Sequence, residues 1–526
     1  MTAGYHELGI AFMKKISNTK FNNKKNLIEV LEFNGTSLWW WMEAFLYLSF
    51  AYRDSFEEVV KAIHTKTEMN KTIKYHIAKM IKKQLIKPYL TCRSLIRKKQ
   101  WQIPEPVKTN KIPLLLLYWH DKGNKPYVQP LIDKIDKTKY QIYALDIIGP
   151  EEFDNNVFKE KAQDKIVSHI LIENYFFPED KKELNMYIKK FNDIKKQLIK
   201  DKNFQKLFVI NGVNIWDLCK PQFVWFFDVR MKDYLIQYIS ARNVINIVQP
   251  KIVVSPSETS EFDKNIFHIC KKLNIPTIAI QHGLINDIRL IKPKGHNCPI
   301  PTITCVYGIA DKKFLLTKGN YPEDSVLVTG NPRWDNIKNK QYDKKDICMR
   351  MGLYPDEKIV VFATQPLTLI KNREVISKII SKAINELQDI QFIIKVHPME
   401  TVDYYKDILN NKNVVLVKDM DMLNIIYICD SLIMINSTIG LETLIFDKPL
   451  ITVNELIGEQ DFINYNNSAI VVHKEEYLVQ SIKDSLYNSD VIFKLKQNRE
   501  RFVYEHCYKI DGKAVDRIMT KFTTFI

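Results

Sequence analysis

Four short motifs carry residue types that handle phosphate and protons. They are Gln281-His282-Gly283, Gly330-Asn331-Pro332-Arg333-Trp334-Asp335, Lys395-Val396-His397-Pro398 and Asn436-Ser437-Thr438-Ile439-Gly440-Leu441-Glu442. An imidazole titrates near neutral pH, so His282 and His397 can each move a proton or donate to a phosphate oxygen. Lys395, two residues before His397 on the same side of an extended segment, either adds positive charge there or pairs with a neighbouring acid. Ser437 and Thr438 precede an apolar run, where they either cap a helix or offer hydroxyls and helix-terminal N–H groups to an anion. Glu442 follows one turn later, placed to accept from ribose hydroxyls. Together these groups would hold a nucleotide by its phosphate and ribose and stabilise its departure without a metal. Two residues compete for the role of base. His282 is one, and Glu258, after the apolar run Ile252–Ser255 and close to Asp263, is the other. An acid at that position also suits the N-terminus of a helix, where the dipole favours it.

Elements that could position these motifs alternate along the chain from about residue 110. Short apolar runs predict strands at 112–119, 141–146, 206–210, 252–255, 277–280, 302–307 and 326–329. A second series follows at 359–363, 391–396, 414–417, 431–435, 450–453 and 469–472. Amphipathic spacing predicts helices at 184–200, 263–273, 374–387, 421–429, 438–446 and 475–487. Continuous apolar strands joined by helices mean parallel sheets covered on both faces. The expected fold class is therefore α/β, with two tandem Rossmann-like domains behind a mainly helical, basic N-terminal region. The expected divisions are 1–110, 111–340 on the acceptor side and 341–526 on the nucleotide-donor side. All four motifs fall at predicted strand ends, where ligands bind in such folds.

The set of motifs resembles the GT-B glycosyltransferases that build bacterial surface polysaccharides, over roughly residues 240–475. These include capsule polysaccharide biosynthesis proteins, CMP-sugar-using sialyl- and polysialyltransferases and teichoic-acid glycerophosphotransferases; the nucleotide-sugar 2-epimerases share the architecture. The resemblance implies that His397, Ser437 and Thr438 hold the nucleotide phosphate. Lys395, Glu442, Asn331 and Arg333 complete the expected donor site. The acid-acid-Gly motif that supplies the base in the CMP-sugar families is absent, and the Gln-His-Gly motif stands in that region. Asp419-Met420-Asp421 has the spacing other glycosyltransferases use for a divalent metal. It follows an apolar strand and precedes an apolar helix, so capping accounts for both acids. No metal is expected, and no cofactor beyond a nucleotide-sugar co-substrate.

Charge points to the setting. The 526 residues carry a net charge of +16. Residues 71–100 contain ten basic residues and no acidic one. Ile73, Ile77, Ile81 and Leu85 recur there at helical spacing among lysines, as in a helix lying on an anionic membrane surface. Leu38–Phe50, with three consecutive tryptophans, is expected to present an aromatic edge to the same interface. It is too short and too acidic at Glu43 to span a bilayer. Nucleic acid is not an expected partner, because no recognition motif accompanies the charge. Eight scattered cysteines without CxxC pairs suit a reducing compartment. The expectation is a cytoplasmic enzyme, peripheral on the inner face of the cell membrane. It would move a sugar from a nucleotide-activated, CMP-linked or other, donor to a lipid-linked or growing surface glycan. A CDP-glycerol- or ribitol-type glycerophosphotransferase and a nucleotide-sugar 2-epimerase remain the alternatives.

Overall fold

A computed structural model describes residues 3–21, 25–46, 109–118, 121–146, 160–210, 212–257, 260–285, 298–337, 341–365, 370–398, 400–457, 463–465 and 467–526. The basic segment 71–100 and Glu258 lie outside the described residues.

Two parallel sheets organise the chain. The first holds β1 (Ile112–Tyr118), β2 (Tyr140–Asp146), β3 (Val167–Leu171), β4 (Ile252–Ser255), β5 (Thr277–Ile280), β6 (Ile303–Val306) and β7 (Val326–Val328). Their spatial order is β7-β6-β5-β4-β1-β2-β3. The second sheet holds β8 (Ile359–Ala363), β9 (Gln391–Lys395), β10 (Val414–Val417), β11 (Ser431–Met434), β12 (Leu450–Thr452) and β13 (Ile470–Val471), ordered β10-β9-β8-β11-β12-β13. In each sheet the chain runs outward one way, then returns to the middle and runs the other way. The reversal falls between β1 and β4 in the first sheet and between β8 and β11 in the second. Ligands of open parallel sheets bind beyond the strand ends at such reversals.

The strand sequences explain why both faces are covered. Side chains alternate across a strand. In the second sheet Val360, Phe362, Phe392, Ile394 and Ile433 enter one core, while Ile359, Val361, Ile393, Leu432 and Met434 enter the other. The first sheet divides in the same way, Leu114 and Leu116 on one side and Leu115 and Leu117 on the other. The helices that matter for the site are α1 (Ala3–Asn18), α2 (Trp39–Leu46), α3 (Asp121–Lys134), α4 (Asp180–Lys200), α5 (Met231–Val248), α6 (Glu261–Lys272), α7 (Ile370–Glu386), α8 (Met422–Ile428), α9 (Ile439–Ile445), α10 (Ser489–Cys507) and α11 (Ala514–Phe525). The last of these packs Val515, Ile518 and Phe522 on the core of the first sheet, so the chain ends by crossing back from the second sheet.

Three expectations change. Trp39, Trp40 and Trp41 are all fully buried, so they present no aromatic edge. They share one core with α1, α4, α5 and the inner residues of the first sheet, and Phe33 and Tyr238 pack around Trp41 at 5.4 and 6.2 Å. Lys264 on α6 ties this layer down by donating to the Trp40 carbonyl at 3.1 Å. The run 206–210 joins neither large sheet, and only its last two residues form a strand. Asp201 caps a short helix at Lys202–Gln205, and Val209–Ile210 pairs only with Val213–Asn214. β3 was not legible because Val-Ser-His-Ile-Leu has polar residues at its centre; Ser168 Oγ accepts from Gln141 Nε2 at 3.0 Å, and His169 Nδ1 pairs with Asp146 at 2.7 Å.

Candidate nucleotide-sugar site

The site is assembled at the reversal of the second sheet. β9, β8 and β11 are neighbours, so His397, Thr364–Gln365 and Asn436–Ser437 emerge side by side from their carboxyl ends. Two hydrogen bonds lock the three ends together. The His397 amide donates to Thr364 Oγ1 at 2.9 Å, and the Asn436 amide donates to Gln365 Oε1 at 2.9 Å. His397 and Ser437 are thus two strand spacings apart, about 10 Å between backbones. Thr364 and Gln365 escaped the sequence reading. Their signal is the polar pair that ends the apolar run Ile-Val-Val-Phe-Ala.

His397 is half-buried, and that burial lowers its pKa below the usual histidine value. Glu400 pulls the value back up, and Lys395 pushes it further down. The free site therefore presents a neutral imidazole at neutral pH. Lys395 is buried, and its ammonium donates to the carbonyls of Lys418 at 2.6 Å and Val396 at 3.3 Å. It holds the β9 and β10 ends together. Burial lowers its pKa as well, against the attraction of Asp419 and Asp421. Asp421 caps α8 by accepting from the Leu423 amide at 3.1 Å. Among the described residues no group of three or more His, Cys, Asp or Glu side chains is placed to hold a metal ion.

The expected helix-terminal anion site is only partly present. α9 is seven residues long, and its first amides are already engaged. Ile439 N donates to Ser437 Oγ, Gly440 N to Ser437 O and Leu441 N to Thr438 O. A short helix tightened in this way has few amides left to aim at an anion. What faces the strand ends is the pair of partly exposed residues Ser437 and Thr438. Gly440 is closely packed: a Cβ there would meet the ends of the Tyr465 and Met434 side chains, which would have to shift.

A second cluster joins the two sheets. Glu442, one turn into α9, is 4% exposed and meets Arg333 Nη1 at 3.4 Å and Trp334 Nε1 at 3.4 Å. Arg333 also interacts with Tyr127 on α3, whose hydroxyl donates to the His282 carbonyl at 3.3 Å. The Tyr127 and His282 rings pack at 4.9 Å. Gln281 shapes the same corner, donating to the Gly283 carbonyl and accepting from the Tyr307 amide at 2.7 Å. A continuous path thus runs from His282 through Tyr127, Arg333 and Glu442 to α9, the helix that follows Ser437. Tyr127 was missed because it sits inside a polar helix far from any motif.

The remaining motif residues shape the fold around the site. Asn331 is buried and caps its own turn, accepting from the Arg333 amide at 3.0 Å. Asp335 accepts from the Ala514 and Val515 amides at 2.8 and 2.9 Å, so it caps α11 from 179 residues away. Gly330 adopts φ +80°, a conformation that favours glycine.

A first test follows from the His397 environment. Bound phosphate raises the imidazole pKa, so binding takes up protons and tightens as pH falls from above the bound pKa toward the free one. His397→Ala should weaken nucleoside diphosphate binding by about 1.5–3 kcal/mol and abolish that pH dependence. Calorimetric titration with nucleoside diphosphates between pH 6 and 8 measures both. Unchanged affinity would place the phosphate elsewhere.

Residues 301–523 match the family model for UDP-N-acetylglucosamine 2-epimerase, a stretch that includes the whole second sheet. An uncharacterized protein of Methanocaldococcus jannaschii is 26% identical over 358 residues, or 58% of this chain. The chain spans 62% of the length of that curated relative. Among solved structures, the UDP-GlcNAc 2-epimerase of Neisseria meningitidis bound to UDP-GlcNAc has a TM-score of 0.51 at 13% identity, covering 78% of this chain and 100% of that one. The UDP-GlcNAc 2-epimerase of Methanocaldococcus jannaschii has a TM-score of 0.49, also at 13% identity, with 78% and 100% covered. The chain has the two-domain GT-B fold.

Proposed function

We propose that this chain is an enzyme that binds a UDP-activated N-acetylhexosamine between its two sheets, breaks the bond between carbon 1 and the diphosphate as a proton leaves carbon 2, and re-forms that bond after a proton returns to the opposite face, inverting carbon 2. The observation that carries this reading is the alignment of His397, Thr364–Gln365 and Ser437 at one sheet reversal, inside the stretch that matches the epimerase model. His397 and the Ser437 and Thr438 hydroxyls hold the diphosphate, and the Lys395 field adds to them. His282 approaches from the first sheet, where the sugar would lie, and serves as the proton carrier. The hydrogen on carbon 2 becomes acidic only as the carbon 1–oxygen bond breaks. Leaving-group stabilisation and proton transfer must therefore act together, and the two clusters are joined through Arg333 and Glu442.

A glycosyltransferase is the second reading, favoured by a specific feature. About a fifth of the chain has no counterpart in the Neisseria structure, which is itself fully covered. Helices α1, α2, α4 and α5 form a buried layer on the first sheet, and an epimerase needs no acceptor surface. In this reading the acid-free segment 71–100 meets an anionic membrane surface, and the acceptor is a lipid-linked or growing glycan. No helix among the described residues is long and apolar enough to cross a membrane.

A thermal-shift screen tests the shared premise. UDP at 100 times its Kd should stabilise the protein by about 2.7 kcal/mol. UMP should do less and CMP least, and the shift should persist in EDTA. No shift with any nucleotide contradicts the site. A larger shift with CMP or CDP than with UDP contradicts the donor and favours the transferases.

A further inference from the structure

The turn from His397 to Glu400 is held more firmly than a loop at a strand end requires. Glu400 is 2% exposed, and its amide closes the turn onto the His397 carbonyl at 2.9 Å. Its carboxylate accepts from Thr364 Oγ1 at 2.5 Å, from Arg373 Nε at 3.3 Å and from Tyr405 Oη at 3.2 Å. Its carbonyl accepts from Lys418 Nζ at 2.8 Å, and the Lys418 carbonyl in turn holds Lys395. The Arg373 guanidinium lies over the Tyr404 ring at 4.0 Å, so its reach toward Glu400 is braced from behind.

The geometry of Thr364 gives this network a direction. A hydroxyl has one proton and two lone pairs. The Glu400 carboxylate takes the Thr364 proton, which leaves a lone pair turned to the His397 amide. Without the carboxylate the Thr364 hydroxyl keeps only Tyr405 beside it, and its lone pair is no longer held toward the His397 amide. Burying a carboxylate is costly unless it is paired and hydrogen-bonded. Here Arg373 and Tyr405 supply that pairing at a site with no other evident use.

We propose that Glu400 is a positioning residue for His397. Acting through the Thr364 hydroxyl, it fixes the backbone from which the imidazole meets a nucleotide diphosphate. The inference rests on the reading of His397 as a phosphate contact. Preorganisation of this kind shows in affinity, because a free loop must be ordered when ligand binds.

UDP titration of four variants tests it. Thr364→Val should weaken UDP binding about tenfold, and Thr364→Ser should restore it, since only the hydroxyl differs in role. Glu400→Ala should weaken binding by a similar factor, and the double variant Thr364→Val/Glu400→Ala should be no weaker than either single one. That non-additivity is the signature of two residues acting on one path. A merely structural Glu400 would lower the melting temperature and add its loss to that of Thr364→Val. Should Glu400→Ala fail to fold, the Thr364→Val and Thr364→Ser pair decides alone. Wild-type UDP affinity in Thr364→Val overturns the proposal while His397→Ala still loses binding. Wild-type affinity in His397→Ala overturns the underlying reading, and the proposal with it.

Discussion

Replacing His282 by Ala should lower turnover of the nucleotide sugar about 10²- to 10⁴-fold, the range expected for loss of a positioned proton carrier. UDP affinity should stay within about threefold, because a phosphate contact is worth far more than that. The separation follows from the architecture. His282 ends β5 in the first sheet, while the phosphate groups end β8, β9 and β11 in the second. Its surroundings are built to hold it in place. Tyr127 packs on its ring and holds its carbonyl, and Gln281 fixes the corner from the other side. Steady-state turnover and UDP titration of the same variant give the two numbers. Full turnover would remove His282 from the chemistry and leave Glu258 as the base, which Glu258→Gln then examines.

The second large effect is on stability. Arg333→Met should destabilise the protein by about 2–3 kcal/mol at pH 8. Breaking a buried ion pair by removing one partner costs about 3–5 kcal/mol, because the other charge stays buried. The lower value here reflects the Arg333 side chain, which is 31% exposed while Glu442 is 5% exposed. The pH dependence gives the sharper signature. Burial raises the Glu442 pKa, and Arg333 is the largest influence drawing it back down. An acid whose folded pKa is raised adds stability below its unfolded pKa and loses it as pH rises through the folded one. Removing Arg333 raises the folded value further. The gap between variant and wild type should therefore be widest at pH 8 and narrow toward pH 5, where protonation spares Glu442 its buried charge. Melting curves at both pH values read this. A gap that does not change with pH would mean that the Arg333–Glu442 pair carries little charge energy.

The fold was legible where the strands are continuous apolar runs. β8 and β10 fall where their sequences place them, because Ile-Val-Val-Phe-Ala and Val-Val-Leu-Val have no other solution in a two-sided sheet. β3 was hidden by Ser168 and His169, whose burial depends on partners in β2 and beyond. The tryptophans misled for the opposite reason. Three in a row cannot share one helix face, yet the helices and the first sheet around them buried them all. At the site, the motifs revealed the strand ends but not the order of strands. Only that order makes Thr364 and Gln365 the link between His397 and Ser437, and brings Tyr127 to His282. Lys395 and Asn331 had the right residue types for a ligand, and the folded chain spends their polar groups on its own backbone.

The measurement that bears most directly on the central claim is proton NMR of UDP-GlcNAc incubated with the full-length protein in deuterated water. If the cleft breaks the sugar–diphosphate bond and carries a proton at carbon 2, deuterium enters that position and the 2-epimer accumulates. His282→Ala should suppress both signals. Bound UDP-GlcNAc that keeps its carbon 2 hydrogen and forms no epimer would contradict the epimerase reading.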